Sequence, residues 1–107
     1  MPNNYKNAKL DLTTTDATVL YTCPAATTAL VKSILASEDS GNADTITVTI
    51  TDADAAVFSL FKVKAVAANT TVELLTEPLV VQENEILKVT AATANRLHVV
   101  ASLLEIN

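Results

Sequence analysis

Threonine and β-branched aliphatic residues alternate strictly along residues 45–51, which read Thr-Ile-Thr-Val-Thr-Ile-Thr. A period of two places the aliphatic side chains on one face of a β-strand and the hydroxyl groups on the other. The segment therefore predicts a half-buried antiparallel strand with its apolar face on a core. The threonine face is either solvated or packed against another subunit, and in the second case Thr47 and Thr49 are the candidate contact residues.

Segments rich in β-forming residues recur along the rest of the chain, separated by short polar clusters. Because the sequence contains one glycine, most turns must rely on Asn, Asp, Ser and Thr, whose side chains bond to the nearby backbone. Short strands at such regular spacing are typical of a β-sandwich or a barrel. The predicted fold is all-β: an antiparallel β-sandwich, jelly-roll-like, with about eight strands. The predicted strands are residues 5–12, 17–22, 28–37, 44–51, 56–66, 70–75, 79–81 with 86–91, and 96–106.

Two of these segments also have features of helices. Residues 25–36 contain several alanines and follow Pro24, and a proline suits the start of a helix. Residues 91–104 form the second case. Strands are favoured in both because β-branched residues are frequent, and because Leu97, Val99, Ala101 and Leu103 alternate as an inward face. In residues 56–66 the apolar positions change face, which predicts a β-bulge near Ser59–Phe61.

The overall composition indicates one small domain. The chain has 107 residues, half of them hydrophobic but only 4% aromatic, so its core must consist of small aliphatic side chains. The apolar excess fits a buried subunit interface, although a dry sandwich core also explains it. Residues 1–9 are polar and are predicted to form an N-terminal arm that orders on assembly, followed by the sandwich domain at 10–107. Tyr5 and Lys6 are the candidate interface residues of this arm.

Net charge and hydropathy exclude two classes of partner. A formal charge of −5 argues against nucleic-acid binding, which requires a basic surface. No apolar run approaches the ~20 residues that span a bilayer, so no membrane partner is expected. The polar first residues lack the apolar segment of a signal peptide, and synthesis in a cytoplasm is the expectation.

The chain has one histidine, His98, and one cysteine, Cys23, and neither lies at catalytic or metal-ligand spacing from a partner. His98 is predicted to be an outward or interface residue. Cys23 is predicted to be a small buried side chain, because no Lys, Arg or His lies nearby to lower its pKa.

The acidic clusters likewise indicate turns in preference to a metal site or a catalytic site. Asp52 and Asp54 resemble the start of a calcium loop, but the ligand series stops at Ala55. Glu77, Glu83 and Glu85 lack the aromatic residues that accompany glycosidase carboxylates. We therefore predict no enzyme activity, no catalytic residue, no cofactor and no metal; pooling of loop carboxylates around a cation is the alternative.

Six segments stand out as a set of short strands and polar turns: residues 19–25, 29–34, 40–48, 79–81, 86–89 and 94–102. Together they resemble small β-sandwich virion proteins of tailed bacteriophages. The resemblance covers most of the chain from about Leu12 onward and is structural in character. Members tend to carry glycine after the Pro-Ala turn and in the acidic turn before the penultimate strand, where this chain has Ala26 and Asn84.

This resemblance implies a structural role in a virus particle. The expectation is a capsid decoration (cement) protein made in the host cytoplasm, located on the virion capsid surface, and bound as a homotrimer to the major capsid protein. A tail, neck or fibre component is the alternative location. A receptor- or glycan-binding module is a second hypothesis, and a hydrolase that uses His98 is a third.

Overall fold

Two antiparallel β-sheets pack face to face in the computed structural model, which describes residues 3–107. These residues form nine strands, and the predicted all-β sandwich is confirmed. The strands are β1 (Asn3–Asp11), β2 (Thr18–Thr22), β3 (Thr28–Glu38), β4 (Asp44–Thr51), β5 (Val57–Val66), β6 (Thr71–Glu73), β7 (Leu79–Val81), β8 (Ile86–Ala91) and β9 (Leu97–Ile106).

The order of strands is that of a jelly roll. The first sheet has the order β1-β9-β3, with β6 and β7 both paired to the far side of β3, and the second has the order β2-β8-β4-β5. Because β6 and β7 share one position, eight strand positions result, as two Greek keys require. The two halves of the predicted segment 79–81 with 86–91 lie in different sheets: β7 pairs with β3, whereas β8 pairs with β2 and β4.

The core lies between the sheets and follows from period-two alternation. In β4, Ile46 and Val48 are fully buried while the threonines are half-buried. In β9, the predicted inward face is confirmed, because its four residues are all buried. Both segments with helical features are strands, since alternating burial runs through β3 and β9.

Strand β5 contains two bulges. The first leaves Leu60 without a partner between Ser59 and Phe61, so the predicted bulge is confirmed. The second places Lys62 and Val63 opposite Thr47. Val63 has a φ of 55°, a left-handed conformation that costs a non-glycine residue about 1–2 kcal/mol. Its N–H donates a hydrogen bond to the Thr47 hydroxyl at 3.0 Å.

Two turns keep the glycine-like conformation without glycine. Ala26 and Asn84, the two positions that depart from the phage pattern, have φ values of 57° and 65°. The turns touch each other, because the Ala26 N–H donates to Glu83 Oε2 at 2.7 Å and the Asn84 N–H to the Cys23 carbonyl at 2.9 Å. These contacts hold the left-handed residues in place.

The residues predicted as an arm lie largely in the first sheet. From Asn3 to Asp11 the chain forms β1, which pairs antiparallel with β9 from Asn3↔Ile106 to Asp11↔His98. Residues 1 and 2 of the predicted arm are outside the described residues. The boundary between an arm at 1–9 and a domain at 10–107 stays a prediction.

Candidate assembly surfaces

The four predicted interface residues lie on different parts of the molecule. Tyr5 is on the outer face of the first sheet, where its side chain is 75% exposed and Lys32 Nζ lies 5.8 Å from the ring centroid. Thr47 and Thr49 are on the outer face of the second sheet, within an interior strand. The structure therefore does not bring the two pairs together, and their interface role stays a prediction.

Part of the threonine face has a structural task. The Thr47 hydroxyl accepts the Val63 N–H and so stabilises the second bulge of β5. The Thr51 hydroxyl oxygen is buried and, among the described residues, has no hydrogen-bond partner. Thr49 is half-buried and lies between Ser59 of β5 and Lys88 of β8. Of the two predicted residues, Thr47 is therefore the one whose hydroxyl is already occupied.

Lys6 lies above a buried carboxylate. Glu105 of β9 is 6% exposed, and Lys6 Nζ lies 3.5 Å from its Oε1. The Tyr21 hydroxyl donates to Glu105 Oε2 at 2.5 Å. Burial and this hydrogen bond raise the pKa of Tyr21 above its usual range, so the phenol remains a neutral donor. The three side chains join β1, β2 and β9 at one end of the sandwich.

Cys23 lies close to this group and is fully buried, as predicted. Its thiol donates to the Thr27 carbonyl at 3.3 Å. Burial raises the pKa of the Cys23 thiol, which disfavours the reactive thiolate. The residue packs as a small core side chain.

Strand β5 carries more exposed large apolar side chains than any other described strand. Val57 is 63% exposed, Phe58 54% and Val63 60%, and the exposed Lys62 and Lys64 lie beside them. Strand β5 is an edge of the second sheet, so its outer backbone groups face away from any described strand. The irregular alternation of residues 56–66 was the sequence signal for the bulges, but it did not indicate that the displaced apolar residues would be exposed.

A second buried carboxylate organises the opposite loops. Glu38 is 2% exposed and accepts backbone N–H groups of Ser40, Gly41 and Asn69 at 2.8, 3.1 and 3.0 Å, together with the Ser40 hydroxyl. Burial alone would raise the pKa of Glu38, but these hydrogen bonds outweigh it and lower the pKa to about 2. Glu38 is thus a structural anion that ties two loops together.

The remaining candidate groups are exposed. His98 is exposed, with Nε2 at 3.3 Å from Asp11 Oδ1 and Nδ1 at 3.6 Å from Asp39 Oδ2. Asp52 Oδ1 accepts the N–H groups of Asp54 and Ala56, both at 2.9 Å, and so closes its own turn. Over residues 3–107, no three His, Cys, Asp or Glu side chains are grouped to hold a metal ion.

The exposed aromatic rings lie far apart. Tyr5 is on β1, an edge of the first sheet, and Phe58 is on β5, an edge of the second. Since β1 contacts β2 and β5 contacts β3 between the sheets, these two edges are on opposite sides of the sandwich. The two rings cannot form one stacking platform.

In the part of the chain that the structure describes, no helix is long and apolar enough to cross a membrane.

Comparison with known proteins supports the fold. No protein-family model and no curated protein matches the sequence. Among solved structures, the chain is similar to a protein described under the words "Bacillus endospore appendages form a novel family of disulfide-linked pili". The TM-score is 0.57 at 10% identity, with 97% of this chain and 84% of that chain covered. At this identity, the likeness shows a shared sandwich fold.

Proposed function

We propose that this chain is a non-enzymatic structural subunit that joins a larger protein assembly through its strand edges. The observation that carries the proposal is the β5 edge, where three large apolar side chains are exposed beside unpaired backbone groups. Bulges and edge lysines limit open-ended backbone pairing, and β5 has both, so its exposed apolar side chains provide the contact surface of this edge. Apolar residues grouped on one edge are typical of an interaction surface.

The buried ionisable groups support the same proposal. Glu38 binds two loops, and Glu105 is held by Tyr21 and Lys6. Each of these carboxylates has a task in holding the fold. Reactive groups in enzymes are usually placed in clefts instead, with partners arranged around a substrate.

In its specific form, the proposal is a phage capsid decoration protein. The support is the resemblance of residues 12–107 to small phage sandwich proteins, together with the sandwich fold itself. Such a protein would bind the major capsid protein as a homotrimer on the virion surface and resist internal pressure by adding interface area. Threefold association would also cover the exposed apolar side chains of β5.

The copy number per particle tests the specific proposal. Quantitative mass spectrometry of purified particles would compare this chain with the major capsid protein. Near-equal stoichiometry is expected for decoration of the whole lattice. A few to a few dozen copies would contradict a lattice role and favour a tail, neck or fibre position. Absence from the particles would overturn the virion proposal.

A subunit of a filament is the second candidate. It is favoured by the fold shared with a pilus protein and by the free edges on both sides of the sandwich. Linkage by disulfides, as stated for that protein, does not fit Cys23, which is fully buried. Electron microscopy of the purified chain would show filaments in this case, with or without a reducing agent. Particles of fixed size at all concentrations would contradict it.

A further inference from the structure

The first half of β1 is weakly attached to the rest of the sandwich. Four residues of β1 pair with core-facing residues of β9 and therefore occupy inward positions: Asn4, Lys6, Ala8 and Leu10. The first two are polar and exposed, whereas Ala8 and Leu10 are partly buried against the core. Residues 3–7 therefore bury no apolar side chain. Backbone pairing, the Lys6–Glu105 ion pair and the exposed contact of Lys32 with the Tyr5 ring hold them.

The surface under this segment is built to receive it. Residues 102–106 of β9 pair with β3 along one backbone edge and with Asn3–Asn7 along the other, and Leu103 is buried at 2% exposure. Glu105 offers one carboxylate oxygen to Tyr21 and the other to Lys6. A buried carboxylate needs a nearby cation or donor, because its desolvation is otherwise costly. A strand with lysine in the Lys6 position meets that need.

A firm attachment follows directly after the weak segment. Leu12 is 1% exposed. Its N–H donates to the Leu97 carbonyl at 3.0 Å, and its carbonyl accepts the Asn95 N–H at 2.8 Å. Residues 3–7 can therefore separate from β9 while the rest of the sandwich stays closed. When extended, five residues reach about 17 Å, at ~3.3–3.6 Å per residue.

We propose that Asn3–Asn7 is an exchangeable strand, which leaves its own β9 and pairs with residues 102–106 of a second copy. Lys6 then lies against Glu105 of that copy. This deepens the proposed function and rests on it, since the exchange adds a contact at the β1 edge to the one proposed at the β5 edge. A second copy is the occupant because its segment is chemically identical to the one displaced. Every backbone bond and the ion pair are remade, as in domain swapping.

Paired cysteines test the exchange. Asn7 and Ser102 are register partners on adjacent strands, and both are exposed. The variants Asn7→Cys and Ser102→Cys would be prepared separately, mixed under mild oxidation, and examined on non-reducing gels. The exchange proposal predicts a yield of covalent heterodimer at least tenfold higher than the yield in the control mixture.

The control mixture contains Asn7→Cys with Ser59→Cys. Ser59 is also exposed, but it lies on β5 at the opposite side of the sandwich. This mixture reports random collisions between surface thiols. A heterodimer yield for Asn7→Cys with Ser102→Cys that equals the control would overturn the proposal.

A double variant separates this proposal from the proposed function. When Asn7→Cys/Ser102→Cys is oxidised at high dilution and the monomer is isolated, the disulfide lies within one chain and fixes β1 on its own β9. Exchange predicts that the oxidised form loses incorporation into particles by at least tenfold, and that reduction restores it. If the locked form assembles as well as the reduced form, the exchange is wrong while the structural role stands. If neither form nor the unmodified chain is found in any assembly, the proposed function itself is wrong.

Discussion

Individual buried carboxylates connect parts of this chain that are far apart in sequence. Glu38 accepts hydrogen bonds from its own loop and from Asn69, 31 positions away, and Glu105 is bonded to Tyr21, 84 positions away. Each carboxylate is buried and is satisfied by several donors, as buried charges must be. At the scale of residues, stability therefore depends on a few polar contacts as well as on the aliphatic core.

Glu38 should make stability depend on pH in the acid range. Its pKa is about 2 in the folded chain, below the ~4.3 of an unperturbed glutamate. The folded state therefore binds fewer protons than the unfolded state between these values. The stabilisation is complete above about pH 4.5 and is lost as the pH falls towards 2. Urea unfolding at several pH values measures the change.

The control for this prediction is Glu38→Gln, which does not titrate. Glu73, whose pKa is also lowered, is present in both proteins and contributes in the same way to both pH profiles. The difference between the two pH profiles therefore isolates Glu38. Parallel profiles from pH 5 to pH 2 would contradict the prediction.

Removing the Tyr21 hydroxyl should destabilise the fold. In Tyr21→Phe, the buried Glu105 loses its donor at 2.5 Å, and hydrogen bonds to charged groups contribute about 1.5–3 kcal/mol. We expect a loss of about 2 kcal/mol in the free energy of unfolding, measured with urea. Tyr5→Phe is the matched control and should change it by less than about 0.5 kcal/mol. Equal effects of the two substitutions would show that the buried bond is unimportant.

Glycine at position 26 should stabilise the protein. Ala26 has a φ of 57°, which costs about 1–2 kcal/mol for a residue with a Cβ. Glycine loses about 0.4–1 kcal/mol through the greater freedom of the unfolded chain. Ala26→Gly should therefore gain roughly 0.5–1 kcal/mol. The neighbouring Ala25→Gly has no left-handed strain to relieve and should lose stability, so thermal unfolding of the two variants should shift in opposite directions.

Single residues were predictable from sequence where local context decides their environment. Cys23 is buried and His98 is exposed, as their neighbours indicated. The pairing of Lys6 with Glu105 was not predictable, because the two residues are 99 positions apart and meet only through the pairing of β1 with β9. The exposure of Val63 likewise depends on a bulge whose position is set by Thr47 on another strand.

At the scale of elements, alternation identified the strands well. Burial follows period two over the whole of β9 and in β4 as far as Thr49, and the predicted bounds of both strands lie within one residue of those observed. The sequence predicts residues 70–75 and 79–81 as separate segments, but their common position beside β3 was harder to predict. Pro78 between them has no N–H for a ladder, and Glu73 Oε2 accepts the Ile34 N–H instead. The Glu73 carboxylate thus replaces the backbone carbonyl of a strand partner beside Ile34. No local sequence pattern predicts this replacement.

The first half of β1 should exchange its amide hydrogens faster than the strands around it. Residues 3–7 bury no apolar side chain and lie at a sheet edge, which favours local opening. β3 between Ala29 and Val31 is paired on both sides and should be protected up to global unfolding. Hydrogen exchange followed by NMR measures both segments. Equal protection of the two would contradict weak attachment of β1.

At the scale of the whole molecule, β9 holds the first sheet together because it lies between β1 and β3. Deleting residues 103–107 removes the buried Leu103 and the partners of Thr28–Val31. Loss of one buried leucine typically costs 2–5 kcal/mol, while small domains have only about 5–15 kcal/mol in total. This deletion should abolish the cooperative unfolding transition, and circular dichroism during heating measures that transition.

Deletion of residues 1–7 provides the comparison. Its described part, residues 3–7, contributes no buried apolar side chain, so this variant should stay folded with reduced stability. An unfolded chain after removal of residues 1–7 would show that β1 is integral to the domain rather than attached to it.

The pairing of Asn3 with Ile106 also determines how the molecule responds to force. These two residues are neighbours at one end of the sandwich, so tension applied between them separates β1 from β9 one residue pair at a time. Such unzipping needs little force, because each step breaks few bonds. Load that runs along the strands, pulling β1 and β9 in opposite directions, must instead shear all the pairs from Asn3↔Ile106 to Asp11↔His98 at once and meets greater resistance. The same ladder therefore resists tension along the strands far better than tension that opens it from the Asn3–Ile106 end.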